Sequence, residues 1–342
     1  MEQRTDVRLS LPSKGRLAEP ALKLLASCGL KVEKPNPRQY AARIPALPSL
    51  TVLFQRPRDI VVSVRDGSVD FGVTGLDVVA ERSGSNGSVL VLHDELGFGH
   101  CRLCLAVPES WDDVWGVGDL VTKSRFLGRE LRIATQFPRL TTEFLDKHEV
   151  PFSLIEAEGT LEVAPTIGYA DLVADLVSSG QTLRDNRLRP LDGAPIVASQ
   201  AALIASRATL RARPNVLAVA RVVLEYVEAH LRAVGHVAVF ANMRGDSPEE
   251  IAQRMFDQRT LGGLQGPTFS RVIVAGQDPD WHAVHIIVRR EELFQAVQEL
   301  RSIGGSGVVV TPVNYIFEEE PARYRAMLDA LGRDGADDPD LR

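Results

Sequence analysis

A chain of 342 residues, 44% apolar and 25% charged, is long enough for two domains and too apolar to remain unfolded. Its formal net charge of -6, with acidic and basic residues interspersed, lacks the basic face of a nucleic-acid-binding protein. No window reaches the roughly eighteen apolar residues of a membrane span, and "MEQRTDVRLSLPSKGRL" lacks the apolar stretch of a secretory signal. The expectation is a cytoplasmic protein without nucleic-acid or membrane partners.

In chain order, "VRLSLP" (7–12) reads as a strand, and Leu17 to Leu30 as a helix with Ala21, Leu22 and Leu25 on one side. "LTVLFQRP" (50–57) is a strand, "RDIVVSVRDG" (58–67) a short helix closed by Gly67, and "VDFGVTG" (69–75) a strand. "LHDELGFGHCRLCLAVP" reads as a crossover between two lobes near 93–108, with a return near 190–210. Beyond the crossover come the strand "LRIATQ" (131–136), the helical "LTTEFLDKHE" (140–149), "EVAPTIGYA" (162–170) and the strand "DLVADLV" (171–177). Strands alternating with helices predict a mainly parallel α/β fold that takes ligands at the carboxyl ends of its strands.

The helical "LAVARVVLEYVEAHLRA" (217–233) leads into a different pattern. "HVAVFAN" (236–242) is a strand, and "SPEEIAQRMFDQ" (247–258) a helix opened by a capping box, Ser247 with Glu250, and by Pro248 at its first position. "FSRVIVA" (269–275), a "QDPD" turn, "WHAVHIIV" (281–288), the helix "REELFQAVQELRSI" (290–303) and "GVVVTPV" (307–313) complete a β-α-β-β-α-β order. That order predicts a ferredoxin-like domain over 236–317, after a two-lobed part over 1–235. Residues 318–342, ending in the acidic "RDGADDPDLR", form a helical or frayed tail.

Three cysteines cannot build a disulfide framework. "CRLC" has the spacing of a redox or zinc half-site, but on a strand Cys101 and Cys104 point to opposite faces, so they are expected to be structural. His93, His100, His148, His230 and His236 are scattered, and His282 and His285 fall on opposite faces of a strand. No Ser-His-Asp or Cys-His arrangement can be assembled from them.

The stretch with the clearest chemistry is "DLVSSGQTL", Asp175 to Leu183. A carboxylate at a strand end accepts hydrogen bonds from sugar hydroxyls, while Gly180 and consecutive amides beside Ser and Thr hydroxyls form an anion-binding nest. The same stretch also suits a polar turn with solvated aspartates. Asp171 and Asp175, four apart, share a face. In "PSKGRL" a strand ends and a helix begins, so Lys14, Gly15 and Arg16 make either a second anion site or a solvated loop.

The segment around Asp175 resembles the signature of the ATP phosphoribosyltransferases, which begin histidine biosynthesis. Glu162, Gly168, Ala170, Val173, Asp175, Leu176, Ser179, Gly180, Thr182 and Leu183 fit that pattern without a gap. "LPSKGRLAEPALKLL", "RPRDIVVSVRDGSVDFGVTGLDV", "LGFGHCRL", "LQGPTFSRV" and "IGGSGVVVTPV" resemble further family segments in family order. The resemblance implies a two-lobed, periplasmic-binding-protein-like catalytic part and a ferredoxin-like regulatory domain. It implies transfer of the 5-phosphoribosyl group of phosphoribosyl pyrophosphate (PRPP) to N1 of ATP with release of pyrophosphate.

Carried onto this chain, the resemblance gives PRPP to Asp171, Asp175, Leu176, Val177, Ser178, Ser179, Gly180, Gln181 and Thr182. It gives ATP to Lys14, Gly15, Arg16, Arg56, Asp70 and Gly72, and catalysis to Arg16, Glu162 and Asp175. Arg58 is as well read as a surface charge. Magnesium is implied, held mainly through substrate oxygens. Histidine is implied as a feedback inhibitor bound near Thr268, Gly305, Ser306 and Asn242, the last standing where the family often has aspartate. The long form implied is a homo-hexamer in equilibrium with dimers, without a separate regulatory subunit. The rival readings are an amino-acid-sensing regulator, which needs no phosphate loop, and a solute-binding protein, which normally carries a signal peptide.

Overall fold

The computed structural model describes residues 5–332 apart from 35, 37, 38, 158, 194 and 274–280. The chain folds as two compact units, Met1–Leu224 with Ala322–Arg342, and Glu225–Pro321. The first unit therefore ends earlier than the pattern change near 235 suggests, and takes back the end of the chain.

The first lobe begins with β1 (Val7–Pro12), α1 (Ala18–Ser27), β2 (Ala41–Ile44), β3 (Leu47–Gln55) and α2 (Pro57–Arg65), followed by β4 (Phe71–Gly75), α3 (Leu76–Arg82) and β5 (Val89–His93). Pro57, with its φ preset for a helix, opens α2, which buries Ile60, Val61 and Val64 at helical spacing. The chain then crosses into the second lobe: β6 (Cys101–Pro108), α4 (Val117–Leu127), β7 (Leu131–Thr135), α5 (Pro138–Lys147), β8 (Phe152–Glu156), β9 (Leu172–Val177), α6 (Gln181–Asp185), β10 (Leu188–Pro190) and β11 (Val197–Ser199). Gln200 alone separates β11 from β12 (Ala201–Ser206), which rejoins the first sheet ahead of α7 (Arg207–Ala212).

The first sheet has the order β2-β3-β1-β4-β12-β5, and the second β10-β6-β9-β7-β8 with β11 also paired to β6. Pairs β1–β3, β1–β4, β7–β8 and β7–β9 are parallel, as the alternation of strands and helices predicts. The strands that carry the chain between lobes depart from it: β12 runs antiparallel to β4 and β5, and β6 antiparallel to β9. β4 and β12 are buried along their whole length, as central strands covered on both faces are.

The long α8 (Pro214–Ala233) carries the chain into the second unit, built from β13 (His236–Arg244), α9 (Pro248–Phe256), β14 (Thr268–Arg271), β15 (Trp281–Arg289), α10 (Leu293–Ser302) and β16 (Ser306–Pro312). The sheet order β14-β15-β13-β16, antiparallel throughout, is ferredoxin-like. Alternate residues Val237, Val239, Ala241 and Met243 of β13 pack with Val284, Ile286 and Val288 of β15 against Ile251, Met255, Ala296 and Leu300 of the two helices. Ser247 caps α9 by accepting the Glu250 amide at 3.2 Å, and Glu250 reaches back to the Asp246 amide at 2.9 Å. The "FSRVIVA" strand ends at Arg271, and its last two residues lie outside the described residues, as does the "QDPD" turn.

The tail is a folded helix as far as Leu331. In α11 (Ala322–Leu331), Tyr324, Met327, Leu328 and Leu331 are buried. Arg323 pairs with Asp94 after β5, and Arg207 and Arg211 donate to the carbonyls of Ala330 and Leu331. Residues 333–342 lie outside the described residues.

Candidate active site

β9 ends at the segment with the signature. Its Asp175 lies opposite Cys104 of β6, and its carboxylate accepts the amide of Leu176 at 2.7 Å. Burial pushes the Asp175 carboxyl up to about 6; the Leu176 amide opposes this shift, and the negative charge of Glu162 adds to it. Glu162 stands half-buried on the one-turn 3-10 helix Leu161–Val163. After Val177 the chain turns through exposed Ser178 and Ser179 to Gly180, whose φ of 73° is left-handed, a conformation that costs any other residue energy. That turn starts α6, with the Gln181 amide on Ser179 Oγ at 3.3 Å and Leu183 anchored in the core. Gln181 and Thr182 are exposed, so the loop presents hydroxyls and amides outward. Val177 is buried in the core and offers only its backbone, and the apolar Leu176 is half-buried.

The turn expected as a second anion site follows β1. Ser13 donates to the Gln55 carbonyl at 2.8 Å and Ala18 to the Gly15 carbonyl at 3.1 Å, leaving Lys14 and Gly15 exposed on the turn. Arg16 donates to the Gly99 carbonyl at 2.8 Å and lies 3.8 Å from the carboxylate of Asp77, whose side chain is 1% exposed. Asp77 is held by Ser199: its amide donates to Ser199 Oγ at 2.9 Å, and that hydroxyl donates to Asp77 Oδ1. Asp77 and Ser199 were not singled out from the sequence. The signal for Asp77 is a carboxylate two residues after a strand-ending Thr-Gly; Ser199 carries none.

The two sites meet. A cavity of about 390 Å³ is lined by Leu76 and Ser199, by Cys101 and His100 at the crossover, and by Val177 and Ser178 of the loop. Arg56, the exposed residue preceding α2, stands at the same carboxyl end of the first sheet.

Several expected site residues lie elsewhere. Asp70 precedes β4, at the amino end of that strand, where it is fully buried and bound by Arg213 at 3.0 Å and by the Arg8 amide at 2.8 Å. Gly72 serves packing and not ligand access: a Cβ there would stand 2.4 Å from Ile60 Cγ2, so glycine lets α2 lie against β4. Asp171 precedes β9 and is gripped by Arg129 at 2.6 and 2.8 Å and by Arg132 through its amide and guanidinium. Those bonds hold its carboxyl well below the usual range, and it has no place in the loop at the strand's other end. Arg58 is half-buried and donates to the Gln136 carbonyl at 2.6 Å, which makes it a link between the lobes and not a surface charge.

Cys101 and Cys104 are both buried thiols, Cys101 beside Ser199 and Cys104 in the apolar core of the second lobe, and burial raises both. Among the described residues no group of three or more His, Cys, Asp and Glu side chains is placed to hold a metal. In the second unit Asn242 and Ser306 are cross-strand partners, with Ser306 Oγ 3.3 Å from the Asn242 carbonyl and Gly305 beside them. Thr268 does not join them: it pairs with His285, two strands away from β16's partner β13, roughly 10 Å across the sheet.

The family model for ATP phosphoribosyltransferase matches residues 56–226, and the model for the HisG C-terminal domain matches residues 233–315. ATP phosphoribosyltransferase 2, chloroplastic, of Arabidopsis thaliana is 44% identical, covering 96% of this chain and 81% of the relative. The ATP phosphoribosyltransferase of Methanocaldococcus jannaschii is 34% identical, covering 91% of this chain and 99% of the relative. Among solved structures, the ATP phosphoribosyl transferase (HisG:HisZ) complex from Thermotoga maritima superposes with a TM-score of 0.51 at 25% identity, covering 65% of this chain and 98% of that one. The chain belongs to the ATP phosphoribosyltransferase family, transferases of histidine biosynthesis that join the phosphoribosyl group of PRPP to ATP.

Proposed function

We propose that the transfer runs in the cavity between the lobes, with PRPP held by the second lobe and ATP by the first. The observation that carries this is the cavity to which Val177, Ser178 and Ser199 of the second lobe contribute from one side and Leu76 of the first lobe from the other. The amides from Ser178 to Thr182 and the Ser179 and Thr182 hydroxyls take the 5′-phosphate, and ionised Asp175 accepts the ribose hydroxyls. Lys14, Gly15, Arg16 and Arg56 take the diphosphate and triphosphate, with Arg16 aimed by Asp77 and Asp77 by Ser199.

Adenine N1 then attacks C1 of the ribose as the bond from C1 to the pyrophosphate oxygen breaks. No side chain needs to form a covalent bond; positioning and charge stabilisation account for the rate. Asp175, with Glu162 nearby, fits a magnesium–pyrophosphate complex, since burial and the charge of Glu162 both raise the cost of ionising Asp175 and a nearby cation would relieve it. Magnesium supplies charge neutralisation of the leaving group, mostly through substrate oxygens.

Histidine is proposed to bind the second unit at the Asn242–Ser306 edge and to inhibit from there. A homo-hexamer exchanging with dimers, acting without a separate regulatory subunit, is proposed from the presence of that unit. No helix of the described residues is long and apolar enough to cross a membrane, which supports a cytoplasmic enzyme or one from an organelle interior, as the chloroplastic relative's name states for that protein. The test is formation of N1-(5-phosphoribosyl)-ATP and pyrophosphate from ATP, PRPP and magnesium. Turnover of PRPP with another base and none with ATP would overturn the assignment.

A further inference from the structure

We propose that Glu81 and Arg139 form an interlobe brace, and that both are positioning residues for phosphoribosyl transfer. Glu81 lies in the last turn of α3 in the first lobe and is only 8% exposed. A carboxylate so buried must be fully hydrogen-bonded, and its partners come from the other lobe. Its two oxygens accept the backbone amides of Arg139 at 2.9 Å and Leu140 at 3.0 Å, in the first turn of α5. That helix has no side-chain cap of its own, since Phe137 precedes it. Glu81 thus supplies, across the cleft, the anion that a helix N-terminus needs.

The exchange is reciprocal. The Arg139 side chain donates to the carbonyls of Glu81, at 3.3 Å, and of Ala80, at the carboxyl end of α3. One helix end is capped by a carboxylate and the other by a guanidinium, each from the opposite lobe. Arg58 adds a third strut from α2 to the Gln136 carbonyl.

The bracket leads to the site. The turn it fixes, Gln136–Phe137, is pinned by Thr135, whose Oγ1 accepts the Phe137 amide at 2.9 Å and donates to the Ala174 carbonyl at 3.0 Å. Ala174 immediately precedes Asp175. The brace therefore sets how far the Lys14–Arg16 turn of one lobe stands from the Asp175–Thr182 loop of the other. This inference rests on the assignment of those two segments to the two substrates.

A protein whose competent closed form is only partly populated binds each ligand more weakly by that fraction, until bound ligand itself closes it. Glu81→Gln and Arg139→Gln should each raise the KM of both ATP and PRPP by about tenfold, while kcat changes by less than about threefold. Because the two side chains act as one device, the double variant should lose about as much as either single one. Arg139 is exposed enough that its replacement leaves the fold intact, so the test survives if the Glu81 variant does not fold. Asp171→Asn serves as the control that lowers the melting temperature without moving either KM. Unchanged KM values, a rise for one substrate alone, or a fall in kcat at constant KM would overturn the brace. Lys14→Ala and Asp175→Ala, measured alongside, decide the substrate assignment separately: if each raises its own substrate's KM while the brace variants move neither, only the brace fails.

Discussion

Asp171 and Asp175 lie four residues apart yet serve opposite purposes at the two ends of one strand. Asp171 is bound by two arginines that hold its carboxyl well below the ordinary range, whereas among the described residues Asp175 has no ion pair, and burial raises it to about 6. The first spends its charge on the fold. The second is the carboxylate proposed to meet the ribose hydroxyls.

A pH dependence follows from Asp175. Its carboxyl binds protons more tightly when folded, about 6 against 3.8, so the folded state loses stability as pH rises through that window. Asp175→Asn should therefore be more stable than the native chain at pH 7 by about 1–3 kcal/mol and no more stable at pH 4. Thermal unfolding at the two pH values checks this. PRPP affinity should fall by about tenfold per unit below pH 6 in the native protein. The 5′-phosphate also titrates near 6, so only the dependence lost in the Asn variant belongs to Asp175.

Asp171→Asn should behave in the opposite way. It leaves Arg129 and Arg132 without their carboxylate and should cost about 1–3 kcal/mol of stability at pH 7. Since the folded carboxyl is depressed, its contribution is present above the ordinary carboxylate pKa and disappears as pH falls through the depressed value. The KM for PRPP should stay within about twofold of the native value, because the side chain lies a strand's length, roughly 20 Å, from the loop. A selective loss of PRPP binding would return Asp171 to the site.

At the second unit the geometry separates two expected effector residues. Ser306→Ala should weaken histidine inhibition by about three- to tenfold, the worth of one hydrogen bond, while Thr268→Ala changes it little. Asn242→Asp should strengthen it by restoring a negative charge toward a cationic ligand. Calorimetric titration with histidine measures all three. Equal losses in the Thr268 and Ser306 variants would place the ligand across the sheet instead of at its edge.

The order of strands and helices was legible because it rests on local periodicity: β9 and its loop, α9 with its Ser247 cap, and the ferredoxin-like order all appear where the pattern puts them. The short β2, β10 and β11 were missed, being three or four residues long with no alternation to read. The errors at the site share one cause. Asp70 and Gly72 were assigned to the cleft because they sit in a strand with a ligand-bearing end, but periodicity does not say which end a residue faces. Their neighbour Asp77 stands at the correct end, and only the fold brings it to Arg16 and to Ser199, 122 residues away. The same holds for Glu81 and Arg139, whose pairing joins separate lobes.

The most direct test of the central claim is calorimetric titration of PRPP with magnesium into the native protein and into Asp175→Ala. A charged hydrogen-bond partner at the ribose is worth about 1.5–3 kcal/mol, so the variant should bind PRPP ten- to a hundredfold more weakly while its ATP affinity and its fold remain. Equal PRPP affinity in a folded Asp175→Ala protein would contradict the account and move the phosphoribosyl site away from the β9 loop.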